Sequence, residues 1–281
     1  MPAASSTTTD AAREAPVRRL VGRTANADAR ERLRTILDGW RREFAQTKLP
    51  VDVIGLASAH GIRVTPAAGD WEGRVYADEA GRVTIEVDPR HALVRQRFTV
   101  AHELVHTAFP GFVREHRYRV DTDLENALFA RTRSEEERLC DWGAGLLLMP
   151  DELIWSYRAD QGLRAVERLA RDAKVSLEAA ALRLVDRHTK PTAFLVIDPS
   201  PDGLRVRYTH VSKFRLFVPR GAAVLPTSVF ARAAKTGKRE LGVEPLPGRS
   251  RRLVHIEAKC YPTTSGASTR ERLLAFASPR G

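Results

Sequence analysis

Two cysteines, Cys140 and Cys260, are too few and too far apart for a disulfide framework or a cysteine-rich zinc site. No apolar run approaches the length of a membrane span. Met1 to Asp10 is small and polar and lacks the apolar stretch of a secretory signal. These absences exclude a disulfide-stapled domain and a helical membrane protein, and they predict a soluble cytoplasmic protein without a membrane partner. Acidic residues are scarce in one place only. From Thr192 to Gly281 there are 16 Lys and Arg against 6 Asp and Glu, whereas the first 191 residues carry 30 against 29. The net charge of +11 therefore sits almost wholly in the last third. That asymmetry permits an acidic partner, protein or nucleic acid, and is equally compatible with a solvated basic surface.

With 281 residues, of which 43% are hydrophobic, the chain has enough material for two or three domains with their own cores. Residues 1–26 are rich in Ala, Ser, Thr and Arg without apolar periodicity and read as a disordered tail. Ala29 to Leu49 has helical spacing, with Leu33, Ile36, Leu37, Trp40 and Phe44 on one face, and Pro50 ends it. Val51 to Gly61 reads as a shorter helix. Ile62–Val64, Arg74–Tyr76 and Val83–Val87 read as strands, the last two joined by a hairpin loop over 77–81.

His91 to Phe109 then reads as a helix, and it contains His102-Glu103-x-x-His106. Residues four apart share a helix face, so the two imidazoles can meet one metal ion. Glu103, beside the first of them, can act as the general base on an activated water. The pattern also arises by chance in amphipathic helices with a buried histidine, but its placement in mid-helix is what the chemistry requires. A polar segment over 110–133 reads as a loop. His116 and Tyr118 are the residues there able to stabilise a tetrahedral intermediate, although a solvated loop is the plainer reading.

A second helix follows, capped by Ser134 and running to Met149-Pro150. Two histidines need a third ligand, and Glu137 on this helix can supply it. Asp141, one turn on, can orient a ligand histidine through its other ring nitrogen. Glu135 and Glu136 compete for the ligand role, because acidic residues also simply favour a helix N-terminus. Cys140 lies in the apolar stripe and reads as buried packing. Zinc suits two histidines and a carboxylate best, and manganese is tolerated by the same donors.

Arg95-x-Arg97-Phe98-Thr99-x-Ala101-His102-Glu103-Leu104-x-His106, followed by Glu137-x-x-Cys140-Asp141 and Leu147-Leu148-Met149-Pro150, resembles the ImmA/IrrE metallopeptidases. The resemblance implies a gluzincin-like zinc peptidase domain with His102, His106 and Glu137 as ligands and Glu103 as catalytic base. It departs at Gly143-Ala144-Gly145, where the family often has Phe-Ala-Ala, and a looser helix is expected there.

Leu163 to His188 reads as a helix, a turn and a second helix opening at Ser176. The second helix begins Leu177-Glu178-Ala179-Ala180-Ala181, too poor in hydrogen-bond donors for a base-reading helix, so a packing role is favoured. After Pro191 the pattern turns to strands around a short helix over Thr227–Gly237. The expected organisation is α+β and multidomain: a tail at 1–26, a peptidase domain at 27–155, a helix-turn-helix module at 156–190 and a GAF-like sensor domain at 191–281. That architecture resembles the radiation-response regulators within the same family. The likeness implies cleavage of a helix-turn-helix repressor of the DdrO type, and a small-molecule signal at the C-terminal domain. The competing expectation is a DNA-binding activator that acts directly on promoters of repair genes.

Overall fold

The computed structural model describes residues 20, 29–110, 112, 117–120, 135–248, 251–265 and 268–280, without side chains at 117–120, 264–265 and 268–270. The expected tail at 1–26 lies, apart from Leu20, outside the described residues. So do Ser134, His116 and most of the polar segment. The chain divides into two compact units, one of residues 1–154 and 172–176 and the other of 155–171 and 177–281.

In the first unit, α1 (Ala29–Phe44) buries Leu33, Leu37 and Arg41 at four-residue spacing. It stops five residues before the expected end, with Ala45 in the left-handed region at φ 52°. The guanidinium of Arg41 is held by Asp38 and Glu152 at 2.7 and 2.8 Å, so its burial is matched by charge. Asp52 caps α2 (Val53–Ala59) by accepting from the Gly55 N–H at 2.9 Å.

Next come β1 (Arg63–Pro66), β2 (Trp71–Ala77) and β3 (Val83–Val87). A strand over Arg117–Val120, β4, completes a four-stranded sheet of order β1-β3-β2-β4, in which only β1 and β3 run parallel. β4 falls where a loop was expected. Its two non-charged positions, Tyr118 and Val120, are too short an alternation to mark a strand by themselves, and pairing with β2 defines it.

Two helices pack on each other in this unit: α3 (Leu93–His106) and α4 (Glu135–Leu148). The close approach depends on Gly143. A Cβ there would lie 2.9 Å from Val105 Cγ1 and 3.2 Å from Leu37 Cδ1. Gly143 is therefore a tight contact, and the helix runs unbroken through Gly143-Ala144-Gly145, where the departure from Phe-Ala-Ala suggested a looser one.

In the second unit, α5 (Leu163–Ala173, its last two residues grouped with the first unit) and α6 (Leu177–Arg187) are joined by a three-residue turn. The rest of the unit is a five-stranded antiparallel sheet of order β6-β5-β9-β8-β7. Its strands are β5 (Thr192–Ser200), β6 (Gly203–Ser212), β7 (Glu240–Pro245), β8 (Leu253–Ser265) and β9 (Ser268–Pro279). β5 and β9 supply Leu195, Ile197, Leu273 and Ala275 to a core closed by Val229 and Phe230 of α7 (Val229–Thr236).

Glu178, in the first turn of α6, accepts from Tyr208 Oη at 2.8 Å and pairs with Arg272 at 2.7 Å, while Ala179, Ala180 and Ala181 are buried. The opening of this helix is engaged with its own sheet, which agrees with packing rather than base reading.

Candidate metal centre

α3 carries His102, Glu103 and His106, and all three are buried. The motif's arginines anchor the helix. Arg97 donates to the carbonyl of Val51 at 2.8 Å, and Arg95 pairs with the fully buried carboxylate of Glu72 on β2. β2 itself comes down onto α3 at Gly73, where a Cβ would sit 2.2 Å from Thr99 Cγ2 and 3.5 Å from Glu103 Cγ. Only a residue without a side chain permits that approach.

His102 Nε2 and His106 Nε2 lie 3.2 Å apart. The Glu137 carboxylate faces both, at 3.3 Å from His102 Nε2 and 3.2 Å from His106 Nε2. On the far side of each ring, Nδ1 meets a different carboxylate: Asp141 at 2.9 Å from His102 and Glu136 at 2.9 Å from His106. α4 presents its acidic residues in two adjacent stripes. Glu137 and Asp141, four apart, face His102; Glu136 and Cys140, also four apart, face the outer edge of His106. Glu135 is exposed.

This donor set fits a metal ion. With Nδ1–H of each ring given to a carboxylate, both Nε2 atoms carry lone pairs. Two lone pairs 3.2 Å apart beside a carboxylate repel unless a cation lies among them. The spacings also match the edge of a tetrahedron, about 3.3 Å for bonds of about 2.0–2.1 Å to nitrogen and oxygen.

Electrostatics agree. Burial pushes the Glu137 carboxyl up, but its contacts with His102 and His106 outweigh this and hold it well below the usual carboxylate range. Burial alone pushes His106 down, and the Glu137 carboxylate beside it favours the charged ring, so without an ion the pocket already attracts positive charge among these donors.

His102, His106 and Cys140 form a buried group able to bind a metal, with ligand atoms within 4.8 Å of one another. Cys140 reaches His106 from the Nδ1 side, at 3.4 Å, away from the face shared with Glu137. Burial raises its thiol to about 11. Of the residues singled out beforehand, His102, Glu103, His106, Glu137 and Asp141 come together here. Tyr118 lies on β4 with its side chain outside the described atoms, and His116 lies outside the described residues. The contact of Glu136 with His106 was missed, although its four-residue offset from Cys140 signals a shared face.

A His-Glu-x-x-His helix crossed by a carboxylate-bearing helix, beneath a small mixed sheet, is a metallopeptidase-type domain. Comparison with known proteins makes this specific. Residues 57–185, a little under half of the chain, match the family described as Peptidase_M78, the IrrE N-terminal-like domain. The chain is similar to the radiation response metalloprotease IrrE of Deinococcus deserti, with 36% identity over 125 residues. The similarity covers 39% of this chain and 41% of that relative, so it spans less than half of either protein. A Mycobacterium tuberculosis transcriptional regulator shares the fold, with a TM-score of 0.60 at 17% identity, over 95% of this chain and 80% of the other. Among the described residues, no helix is long and apolar enough to cross a membrane.

Proposed function

We propose that the chain is a metal-dependent endopeptidase that cleaves a helix-turn-helix transcriptional repressor of the DdrO type and so induces a response to DNA damage. The observation that carries the chemistry is the convergence of His102 Nε2, His106 Nε2 and the Glu137 carboxylate within 3.3 Å of one another. Zinc is the metal these donors favour. Similarity to a radiation response metalloprotease supports the biological setting.

A divalent metal at this site supplies Lewis acidity, which activates water at neutral pH and polarises a carbonyl. His102, His106 and Glu137 hold it, and Asp141 orients His102 through Nδ1. Glu103, on the same helix and next to His102, takes the proton as water attacks the scissile carbonyl and returns it to the leaving amine. Substrate choice belongs to the segment after Pro110, with His116 and Tyr118 as its candidate stabilisers, and to the modules beyond residue 155.

We read those modules as a helix-turn-helix at 156–190 and a GAF-like sensor at 191–281. A cavity of about 800 Å³ in the second unit supports a small-molecule signal. It is walled by Leu241, Val243 and Phe276 with His188, Lys190 and Glu257 at its polar edge, a size and lining suited to a small ligand. Direct promoter activation is not favoured, since the start of α6 is occupied by Tyr208 and Arg272.

The deciding experiment mixes the chain with candidate repressors, with and without zinc or manganese, beside Glu103→Gln. Cleavage that needs both metal and Glu103 is expected. Equal cleavage by Glu103→Gln removes the base assignment, and no cleavage of any repressor removes the substrate.

A further inference from the structure

The two imidazoles are held in unequal ways, and the difference points to a role for a residue whose chemistry the metal site leaves unassigned. His102 and His106 share Glu137 on their Nε2 side. On the Nδ1 side His102 meets Asp141, four residues beyond Glu137, whereas His106 meets Glu136, its immediate neighbour. Successive helix residues are about 100° apart around the axis. Glu136 and Glu137 therefore diverge and meet opposite ends of one ring, at 2.9 Å from Nδ1 and 3.2 Å from Nε2. The carboxylate of Glu136 is buried, and burying a charge is costly unless a partner holds it. A second acceptor also approaches this nitrogen, Cys140 Sγ at 3.4 Å, but it is farther away and sulfur is the weaker acceptor.

We propose that Glu136 is the positioning residue for His106: it keeps the proton on Nδ1 and so turns the Nε2 lone pair toward the metal. The proposal rests on the reading of His102, His106 and Glu137 as ligands. An imidazole without this partner exchanges tautomers and rotates about its two-fold terminal torsion, so that Nε2 faces the ion only part of the time. Cys140 fills space beside the ring and does not set its tautomer.

Zinc affinity, measured by competition with a chelating dye, is the first readout. Glu136→Gln keeps size and a neutral acceptor, and affinity should fall about 10-fold; Glu136→Leu removes the acceptor, and affinity should fall about 100-fold. Cys140→Ala should stay within about threefold of wild type. The second readout is the ring N–H spectrum of the zinc-loaded protein with ¹⁵N-labelled histidine. A slowly exchanging Nδ1–H of His106 is expected in wild type and Cys140→Ala and should be lost in Glu136→Leu. Melting of the metal-free proteins separates loss of fold from loss of orientation, and the isosteric Glu136→Gln carries the test should the leucine variant not fold. Wild-type affinity in both Glu136 variants overturns the proposal. So does an Nδ1–H signal that survives Glu136→Leu and disappears in Cys140→Ala. Unchanged affinity in His106→Ala overturns the ligand reading itself, and the proposal with it, by a result the Glu136 variants alone would not give.

Discussion

Gly143 on α4 lies so close to Val105 on α3 that a single added carbon would come within 2.9 Å of Cγ1 and 3.0 Å of Cγ2. Val105 immediately precedes His106, and Gly143 follows Glu137 by less than two turns. The gap between the metal-site helices is thus set by this contact. Gly143→Ala should force the helices apart and destabilise the chain by about 1–3 kcal/mol, the usual effect of overpacking. Urea unfolding would measure it, and zinc affinity should fall in the same variant. Gly145→Ala is the control. Nothing lies within 4 Å of its added carbon, so the higher helix propensity of alanine should leave stability equal or raised.

Gly73 governs the other side of α3. An alanine there would press on Thr99 Cγ2 and stand 3.1 Å from the Glu86 carbonyl, which is backbone and cannot yield easily. The strand must retreat from Glu103. Gly73→Ala should lower kcat about 10-fold or more through misplacement of the base, while metal content stays near stoichiometric. Full activity with full metal content would separate the position of β2 from catalysis.

Metal removal should destabilise the chain, because the ligands come from separate helices and the ion binds only when they are together. At zinc a hundredfold above Kd the stabilisation is about 2.7 kcal/mol, or about 5–10 °C in melting temperature for a protein of this size. Calorimetry with and without a chelator measures it. The chelator should produce no shift in His102→Ala, and a shift of wild-type size there would rule out His102 as a ligand.

Acid should weaken the fold near β3. The Arg90 guanidinium beside Asp88 holds its carboxyl down at about 2, against burial that pushes it up. A carboxyl depressed in the folded chain contributes stability above its unfolded value of about 3.9 and loses it as pH falls toward 2. Urea midpoints at pH 5 and pH 3 should therefore drop more in wild type than in Asp88→Asn. Equal drops would assign the acid limb to other groups.

Much of this was legible in the sequence, for physical reasons that differ by element. α3 was plain because a fourfold offset between histidines and apolar spacing agree on one helix. α5 and α6 were plain from their apolar periodicity. β4 was not, since Arg117 to Val120 becomes a strand only by pairing with β2. β7 was not either: Glu240 to Pro245 has two apolar residues, Leu241 and Val243, and both stay exposed on an edge strand, where they line the open cavity instead of the core. At the metal centre, periodicity could put Glu137 and Asp141 on one face but could not choose among three consecutive glutamates. Which carboxylate meets Nε2 and which meets Nδ1 depends on the rotation of α4 against α3, and that is fixed by contacts between the helices such as Gly143 with Val105.

Both imidazoles come from α3, and the carboxylates that meet them come from α4. Neither helix can grip the ion alone. Zinc affinity is therefore a ruler laid across the seam between them, and it should register substitutions at Leu37 or Val105 that touch no ligand. Any event that pries the seam open, whether heat, a partner or a change in the segment that joins the two helices, would silence the centre without altering a single ligand.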